Sequence, residues 1–190
     1  MAMLSRLCGA SIATVVLGGG LTAAHAEPRA PRGHSVAISF SPIHLAAPIA
    51  ELQVEILVHE AVSVAVIGGA GQLTAKSSSG DTTFNVYEVG AQVRGYFVGT
   101  TEEGAFAGAE VLYLSLDSDD FEGGATGVGV GTEFAAIGGY KWTWDHFFLD
   151  LNGGIGYVLA SAEATSDGET SNAEDSSFIP VLNFNLGWSF

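Results

Sequence analysis

Hydrophobic and polar residues alternate along most of the chain after residue 34. In the stretch AELQVEILV (50–58), for example, apolar residues occupy nearly every second position. A period of two is typical of a β-strand with two different faces, and no useful window fits the helical period of 3.6 better. Clusters of Gly, Asp, Ser and Thr separate the alternating segments. The pattern predicts eight strands and no helix, with the strands at 35–43, 49–59, 62–72, 83–97, 105–116, 127–142, 147–160 and 177–190.

The two faces of these strands differ in composition. On the seventh strand, Phe147, Leu151 and Ile155 share one face, whereas Asp150 and Asn152 lie on the other. A soluble barrel carries many Lys and Glu residues outside, but here the polar face is rich in Gly, Ser and Asn. Glycine suits a crowded interior. We therefore predict an all-β, eight-stranded antiparallel up-and-down transmembrane β-barrel whose apolar face points outward and polar face inward.

The predicted connections alternate in length. Three turns are short, at 59–61, 100–104 and 143–146, and three connections at the opposite end are long and polar, at 74–82, 117–127 and 161–177. Short inner turns and long outer loops are typical of outer-membrane barrels. The three tryptophans, Trp142, Trp144 and Trp188, fall near the short-turn end, where interfacial aromatic residues are expected.

The fifth strand fits this pattern least well. If Leu112, Leu114 and Leu116 face outward, Glu110 also points toward lipid, at a cost of about 1–3 kcal/mol depending on depth. A β-bulge between Ala107 and Val111 would shift the alternation by one residue, so that Glu110 faces inward while the leucines still face outward.

The chain begins with the features of a secretory signal peptide. Arg6 precedes an apolar run from Leu7 to about Leu21, and Ala24-His25-Ala26 has the small-x-small form of a cleavage site. The predicted organisation is therefore a signal peptide at 1–26, a short periplasmic lead at 27–34 and an outer-membrane β-barrel at 35–190.

Composition narrows the possible partners. The chain of 190 residues has a formal net charge of −15, and removing Arg6 with the signal peptide makes it −16. Nucleic acid is thereby excluded as an expected partner, because binding phosphate requires a basic patch. The single cysteine, Cys8, lies within the signal peptide, so the mature chain has no disulfide and no thiol-based catalyst or metal site.

The ending GWSF adds a family resemblance. Through this ending, the signal peptide and the eight strands, the chain resembles the small outer-membrane β-barrels of the OmpA/OmpX type. The segment 41–71 also resembles poorly characterised bacterial outer-membrane barrel families. In these families the assembly machinery recognises a terminal Phe that is preceded two places earlier by an aromatic or apolar residue. Trp188 and Phe190 match this signal. Asn185 departs from the family pattern, which has glycine there.

The resemblance implies a location and partners. We expect a monomer in the outer membrane of a Gram-negative bacterium, where its partners are outer-membrane lipid, lipopolysaccharide and the assembly machinery. The resemblance does not imply a specific activity.

Several charged residues fall on the predicted inward face. An eight-stranded barrel is just wide enough for its interior to be filled by side chains, and buried charges require partners. We therefore expect a polar lumen network rather than the alternative, a narrow conduction path. Its predicted members are Glu55, Glu88, Arg94, Glu133, Lys141 and Asp150.

Candidate chemistry outside the lumen is sparse. Asp117, Asp119, Asp120 and Glu122 begin like a calcium loop, but Phe121 replaces a ligand and the closing Glu is missing, so we predict a solvated acidic loop rather than a metal site; weak divalent binding there is the alternative. We predict no catalytic residue and no cofactor. His44, three residues after Ser41, is the one histidine near the predicted outer rim.

These observations lead to one expectation and two alternatives. The expected protein is an integral outer-membrane barrel with a structural, adhesive or surface-interaction role exercised through acidic outer loops. The alternatives are an outer-membrane enzyme of the lipid A-modifying type and a soluble exported β-barrel that binds a small apolar ligand.

Overall fold

The protein is a closed antiparallel β-barrel of eight strands, each paired with its neighbours in chain order. The computed structural model describes residues 33–46, 48–77, 80–121, 125–166 and 169–190. The strands are β1 (Val36–Phe40), β2 (Ile49–His59), β3 (Val62–Ser77), β4 (Gly80–Gly99), β5 (Gly104–Phe121), β6 (Ala125–Trp144), β7 (Phe147–Ser166) and β8 (Glu169–Ser189). The predicted all-β, eight-stranded antiparallel up-and-down barrel is confirmed.

A short 3-10 turn, His44–Ala46, lies between β1 and β2 and departs from the prediction of no helix. Within the described ranges, no helix has the length and apolar character needed to cross a membrane. The predicted signal peptide at 1–26 and most of the lead at 27–34 lie outside the described residues.

The barrel closes where the first strand meets the last. Residues 37–40 of β1 pair with residues 186–189 of β8. The seam is extended by Phe190, whose backbone N–H donates to the carbonyl oxygen of Val36 at 2.8 Å. Because β1 also pairs with β2, the ring of strands is closed, and the paired backbone groups along the seam are satisfied within the sheet.

The distribution of side chains is inverted relative to a soluble protein. Large apolar residues lie on the outer surface: Val66 and Val89 are each 56% exposed, and Ile155 is 64% exposed. The interior contains buried charged and amide side chains, including Arg94, Asp150 and Asn152. The alternation of the strands therefore separates an apolar exterior from a polar interior.

The strands extend further at one end than the sequence predicted. Most of the predicted long connections at 74–82, 117–127 and 161–177 are paired strand, so that β3–β4, β5–β6 and β7–β8 form extended hairpins. A polar cross-strand contact lies at the start of one extension, where the hydroxyl groups of Thr74 and Thr83 are 3.3 Å apart. Such pairs stabilise a ladder without burying apolar surface, so hydrophobic alternation did not reveal these segments.

The predicted phase of the fifth strand was wrong. The register of β5 runs without interruption from Ala107 to Val111 against both neighbours, so there is no bulge at this place. Glu110 is 7% exposed and points inward, and Val111 and Tyr113 point outward. Leu112, Leu114 and Leu116 therefore share the inward face with Glu110. Burial of Glu110 in the polar interior avoids placing its carboxylate on the apolar exterior.

Close contacts across the sheet make particular glycines sensitive to substitution. A Cβ at Gly154 would overlap the backbone carbonyl of Ala136 on β6, whereas a Cβ at Gly68 would meet no atom within 4 Å. Gly154→Ala should lower the free energy of unfolding by about 1–3 kcal/mol, because the strands must separate to accommodate the methyl group. Gly68→Ala is the matched control, with an expected change below about 0.5 kcal/mol. Equal urea midpoints for the two variants would contradict this packing.

Candidate functional site

The lower half of the lumen, toward the short turns, contains four charged residues that we call the neutral cluster: Glu55, Arg94, Lys141 and Asp150. The Arg94 guanidinium donates to a carboxylate oxygen of Asp150 and lies 3.9 Å from Glu55 Oε1. Lys141 Nζ donates to Glu55 Oε2 at 2.7 Å. All four side chains are nearly inaccessible to solvent. Two cations and two anions therefore compensate one another in the interior.

Neutral side chains complete the hydrogen bonding of the neutral cluster. Glu55 Oε1 accepts from the Ser63 hydroxyl at 2.6 Å and from the Tyr96 hydroxyl at 3.0 Å. Arg94 Nε donates to Gln92 Oε1 at 2.8 Å, and Asn152 donates to Asp150 Oδ1 at 3.0 Å. These contacts matter because buried ions are tolerated only when their remaining polar atoms are satisfied.

Aromatic rings pack against both cations. The guanidinium carbon of Arg94 lies 4.6 Å from the centroid of the Phe106 ring, and Lys141 Nζ lies 4.3 Å from that of Phe148. Both rings are buried. The lower lumen is thus filled by a combination of ion pairs and cation–π contacts.

The turn between β4 and β5 folds across the lower end. Thr101 and Glu102 are buried, and the Thr143 hydroxyl donates to the carbonyl oxygen of Glu102. The cavity between this turn and Glu55 has a volume of about 20 Å³. A space of this size holds on the order of one water molecule, so the lower end is closed to solutes.

The upper half of the lumen has a different electrostatic character. It contains a histidine and four carboxylates that we call the acidic chamber: His44, Glu51, Glu88, Glu110 and Glu133. A cavity of about 180 Å³ is lined by His44, Glu51, Glu110 and Glu133, among others. None of these carboxylates forms an ion pair with a lysine or arginine among the described side chains. Acidic groups therefore outnumber basic groups in the acidic chamber.

His44 reaches the acidic chamber from the 3-10 turn, outside the strands. Its Nδ1 atom lies 2.7 Å from Glu51 Oε2. The proximity of the Glu51 carboxylate favours the protonated imidazole and raises the pKa of His44 above its ordinary value, although partial burial acts in the opposite direction.

The six residues predicted for the lumen network all project into the interior, but into two groups. Glu55, Arg94, Lys141 and Asp150 form the neutral cluster, whereas Glu88 and Glu133 lie in the acidic chamber. The prediction omitted Glu51, Glu110 and His44. Glu51 lies on the same face of β2 as Glu55, so its inward position was predictable from the alternation in the sequence. Glu110 was missed because of the phase error in β5, and no pattern brings His44 to Glu51.

The acidic segment predicted as a loop lies largely in a strand. Asp117, Asp119 and Asp120 belong to β5, which ends at Phe121, and Glu122 lies outside the described residues. The prediction of a loop was therefore wrong for 117–121, which are strand. At the outer rim, the Ser41 hydroxyl donates to the carbonyl oxygen of Phe184 at 3.3 Å, so its hydrogen bond is directed to the backbone.

The two residues of the predicted assembly signal lie at the seam. Trp188 is opposite Ile38 and is 49% exposed, and Phe190 is 59% exposed. The Trp188 ring stacks on His146, with centroids 5.5 Å apart and planes 7° apart. Both rings therefore border the barrel at the end that carries the short turns.

Comparison with known proteins adds a structural likeness. No family model and no curated protein matches the chain. Among solved structures, the chain is similar to the NMR solution structure of E. coli outer membrane protein W, with a TM-score of 0.46 and 10% sequence identity. The match covers 83% of this chain and 98% of that chain. The eight-stranded architecture follows independently from the strand pairing described above.

The neutral cluster can be tested by removing one ion and then its partner. Arg94→Met should lower the free energy of unfolding by about 3–5 kcal/mol, because Asp150 keeps its buried charge without a cation. Adding Asp150→Asn should recover part of the loss, so that the double variant is destabilised by less than the sum of the two single variants. Urea unfolding of the folded barrel in detergent measures this coupling, and strictly additive effects would contradict it.

Proposed function

We propose that this chain is an integral outer-membrane β-barrel with a closed, side-chain-filled lumen, and that it has a structural or surface-interaction role in the envelope. The observation that carries the proposal is the inversion of the barrel, with exposed apolar side chains outside and paired charges inside. A surface of this kind is stable when lipid covers it, and a closed barrel leaves no backbone group unsatisfied there. A soluble exported barrel with an apolar ligand site does not fit this arrangement.

The height of the apolar surface supports a membrane location. On β7, exposed apolar residues recur from Phe147 through Leu151 and Ile155 to Leu159. With a rise of roughly 3.3 Å per residue and a tilt near 40°, these positions span roughly 30 Å. That span is close to the apolar band of about 25 Å on transmembrane barrels.

Aromatic residues support the proposed orientation. Trp144 is 56% exposed and stacks with Phe147, and Trp188 and Phe190 lie exposed at the same end of the barrel. Amphipathic rings favour the membrane–water interface. Together with the short turns at this end, they support placing it in the periplasm and the long hairpins outside the cell.

The closed lower lumen favours a role that does not depend on transport. The neutral cluster and the turn at 100–103 occupy the path between the two ends of the barrel. The extended hairpins instead offer a large outer surface, on which Glu163, Glu174 and Asp175 have exposed or partly exposed side chains. An acidic surface of this kind suits contact with cationic partners or with lipopolysaccharide bridged by divalent cations.

Orientation can be tested with single cysteines, because the chain's own Cys8 lies in the predicted signal peptide. Asn172→Cys, in the β7–β8 hairpin, should react on intact cells with a membrane-impermeant maleimide. Glu60→Cys, in the β2–β3 turn, is the matched control and should react only after the outer membrane is permeabilised. Both variants should fractionate with the outer membrane and show a heat-dependent gel shift. Recovery in the soluble periplasmic fraction, or the reverse labelling pattern, would refute the proposal.

Contact with lipid can be tested by placing a charge on the outer surface. Ile155 lies between Phe147 and Leu159 in the apolar stretch of β7, and its side chain is 64% exposed. Ile155→Arg should destabilise the barrel in lipid by about 2–4 kcal/mol, because a cation near the bilayer midplane is poorly solvated. Asn172→Arg on the hairpin should change stability by less than about 1 kcal/mol. Unfolding titrations in liposomes compare the two, and an equal effect would place Ile155 outside the bilayer.

A further inference from the structure

Three residues of the acidic chamber converge at its upper rim. His44, Glu51 and Glu88 each present one ligand atom, and the three atoms lie within 4.8 Å of one another. Glu51 and Glu88 come from β2 and β4, and His44 comes from the 3-10 turn. The group therefore joins β2 and β4, which are separated by β3, with the 3-10 turn between β1 and β2.

The strand register explains how the two carboxylates meet. Glu51 is directly opposite Gly69 on β3, and Gly69 is directly opposite Glu88 on β4. The three positions thus form one row across the sheet, with glycine in the middle. A Cβ at Gly69 would overlap Glu88 Oε1, so the Glu88 carboxylate lies over the glycine and points toward Glu51. The absent side chain creates the space in which the carboxylates approach.

Glu88 carries an unused ligand atom at this place. Glu88 is 8% exposed, and its Oε1 atom is buried without a hydrogen-bond partner. Glu51 is also buried, at 7% exposed. A buried carboxylate oxygen without a partner is strongly unfavourable, and a second carboxylate beside it adds like-charge repulsion. A bound cation would relieve both costs at once.

We propose that His44, Glu51 and Glu88 form a binding site for a divalent transition-metal ion of the Zn²⁺ type. One imidazole nitrogen and two carboxylate oxygens suit such an ion, whereas Ca²⁺ and Mg²⁺ favour sites built of oxygen ligands. Ligand atoms around tetrahedral Zn²⁺ lie roughly 3.3 Å apart. The 2.7 Å separation of His44 and Glu51 and the 4.8 Å limit for the whole group bracket that value.

Three protein ligands leave a tetrahedral ion one position for water. His44 and Glu51 also line the cavity of about 180 Å³, which provides room for that water and for neighbouring solvent. Glu110 and Glu133 line the same cavity and add negative potential around the ion. This metal site goes beyond the proposed envelope function and does not depend on it.

Metal binding is measured on the full-length barrel folded in detergent, stripped with chelator and dialysed. Titration with Zn²⁺ in a calorimeter should show one saturable site per chain, and Co²⁺ should give visible d–d absorption of the intensity typical of a four-coordinate site. His44→Ala, Glu51→Gln and Glu88→Gln should each weaken Zn²⁺ binding by on the order of 100-fold, since each removes a ligand. His44→Ala leaves every strand intact, and the heat-dependent gel shift verifies that each variant is folded.

Glu133→Gln is the matched control, because it removes one carboxylate charge from the same cavity and leaves the three ligands unchanged. It should retain the Co²⁺ spectrum and lose far less Zn²⁺ affinity than Glu88→Gln. Equal losses in the two variants would show diffuse attraction to an acidic cavity and would overturn the site. Absence of saturable Zn²⁺ binding to the wild-type protein, unchanged binding by His44→Ala, or displacement of Zn²⁺ by an equal concentration of Mg²⁺ would also overturn it.

Discussion

Closure of an eight-stranded sheet leaves an interior that is only wide enough for side chains, and the remaining features follow from this constraint. A charge that points into the filled lower half must find its compensation within the barrel, because bulk water does not reach it. The neutral cluster meets this requirement with two cations and two anions held by hydroxyl and amide partners. The same side chains also block the lumen, so ion pairing and closure have one structural cause.

The acidic chamber lies in the same confined interior but has a different balance of charge. Glycines make room for its carboxylates: Gly69 faces Glu88, and Gly156 faces Glu133, where an added Cβ would overlap the carboxylate in each case. Each glycine leaves room for a carboxylate from the neighbouring strand. The barrel thus combines a filled lower half with an upper half that has space and unpaired oxygen atoms.

The exterior and the interior are linked through the alternation of the strands. A shift of one residue in β5 would exchange Glu110 for Val111 and expose a carboxylate on the apolar surface. The observed register avoids this and instead places Leu112 on the wall of the cavity. The leucines of β5 were predicted to face outward, whereas the observed register places Val111 and Tyr113 on the apolar surface and the Glu110 carboxylate in the polar interior.

The sequence by itself determined the strands, their number, the two faces and the closed barrel class, because these depend on a local period of two and on turn residues near each strand end. It also placed Arg94, Lys141, Glu55 and Asp150 on the polar face. Only the tertiary structure decided which of them meet, since Arg94 and Asp150 are 56 residues apart and their contact depends on strand register around the barrel. The length of the hairpins, the phase of β5 and the approach of His44 to Glu51 were likewise decided by contacts between distant segments, which no local pattern records.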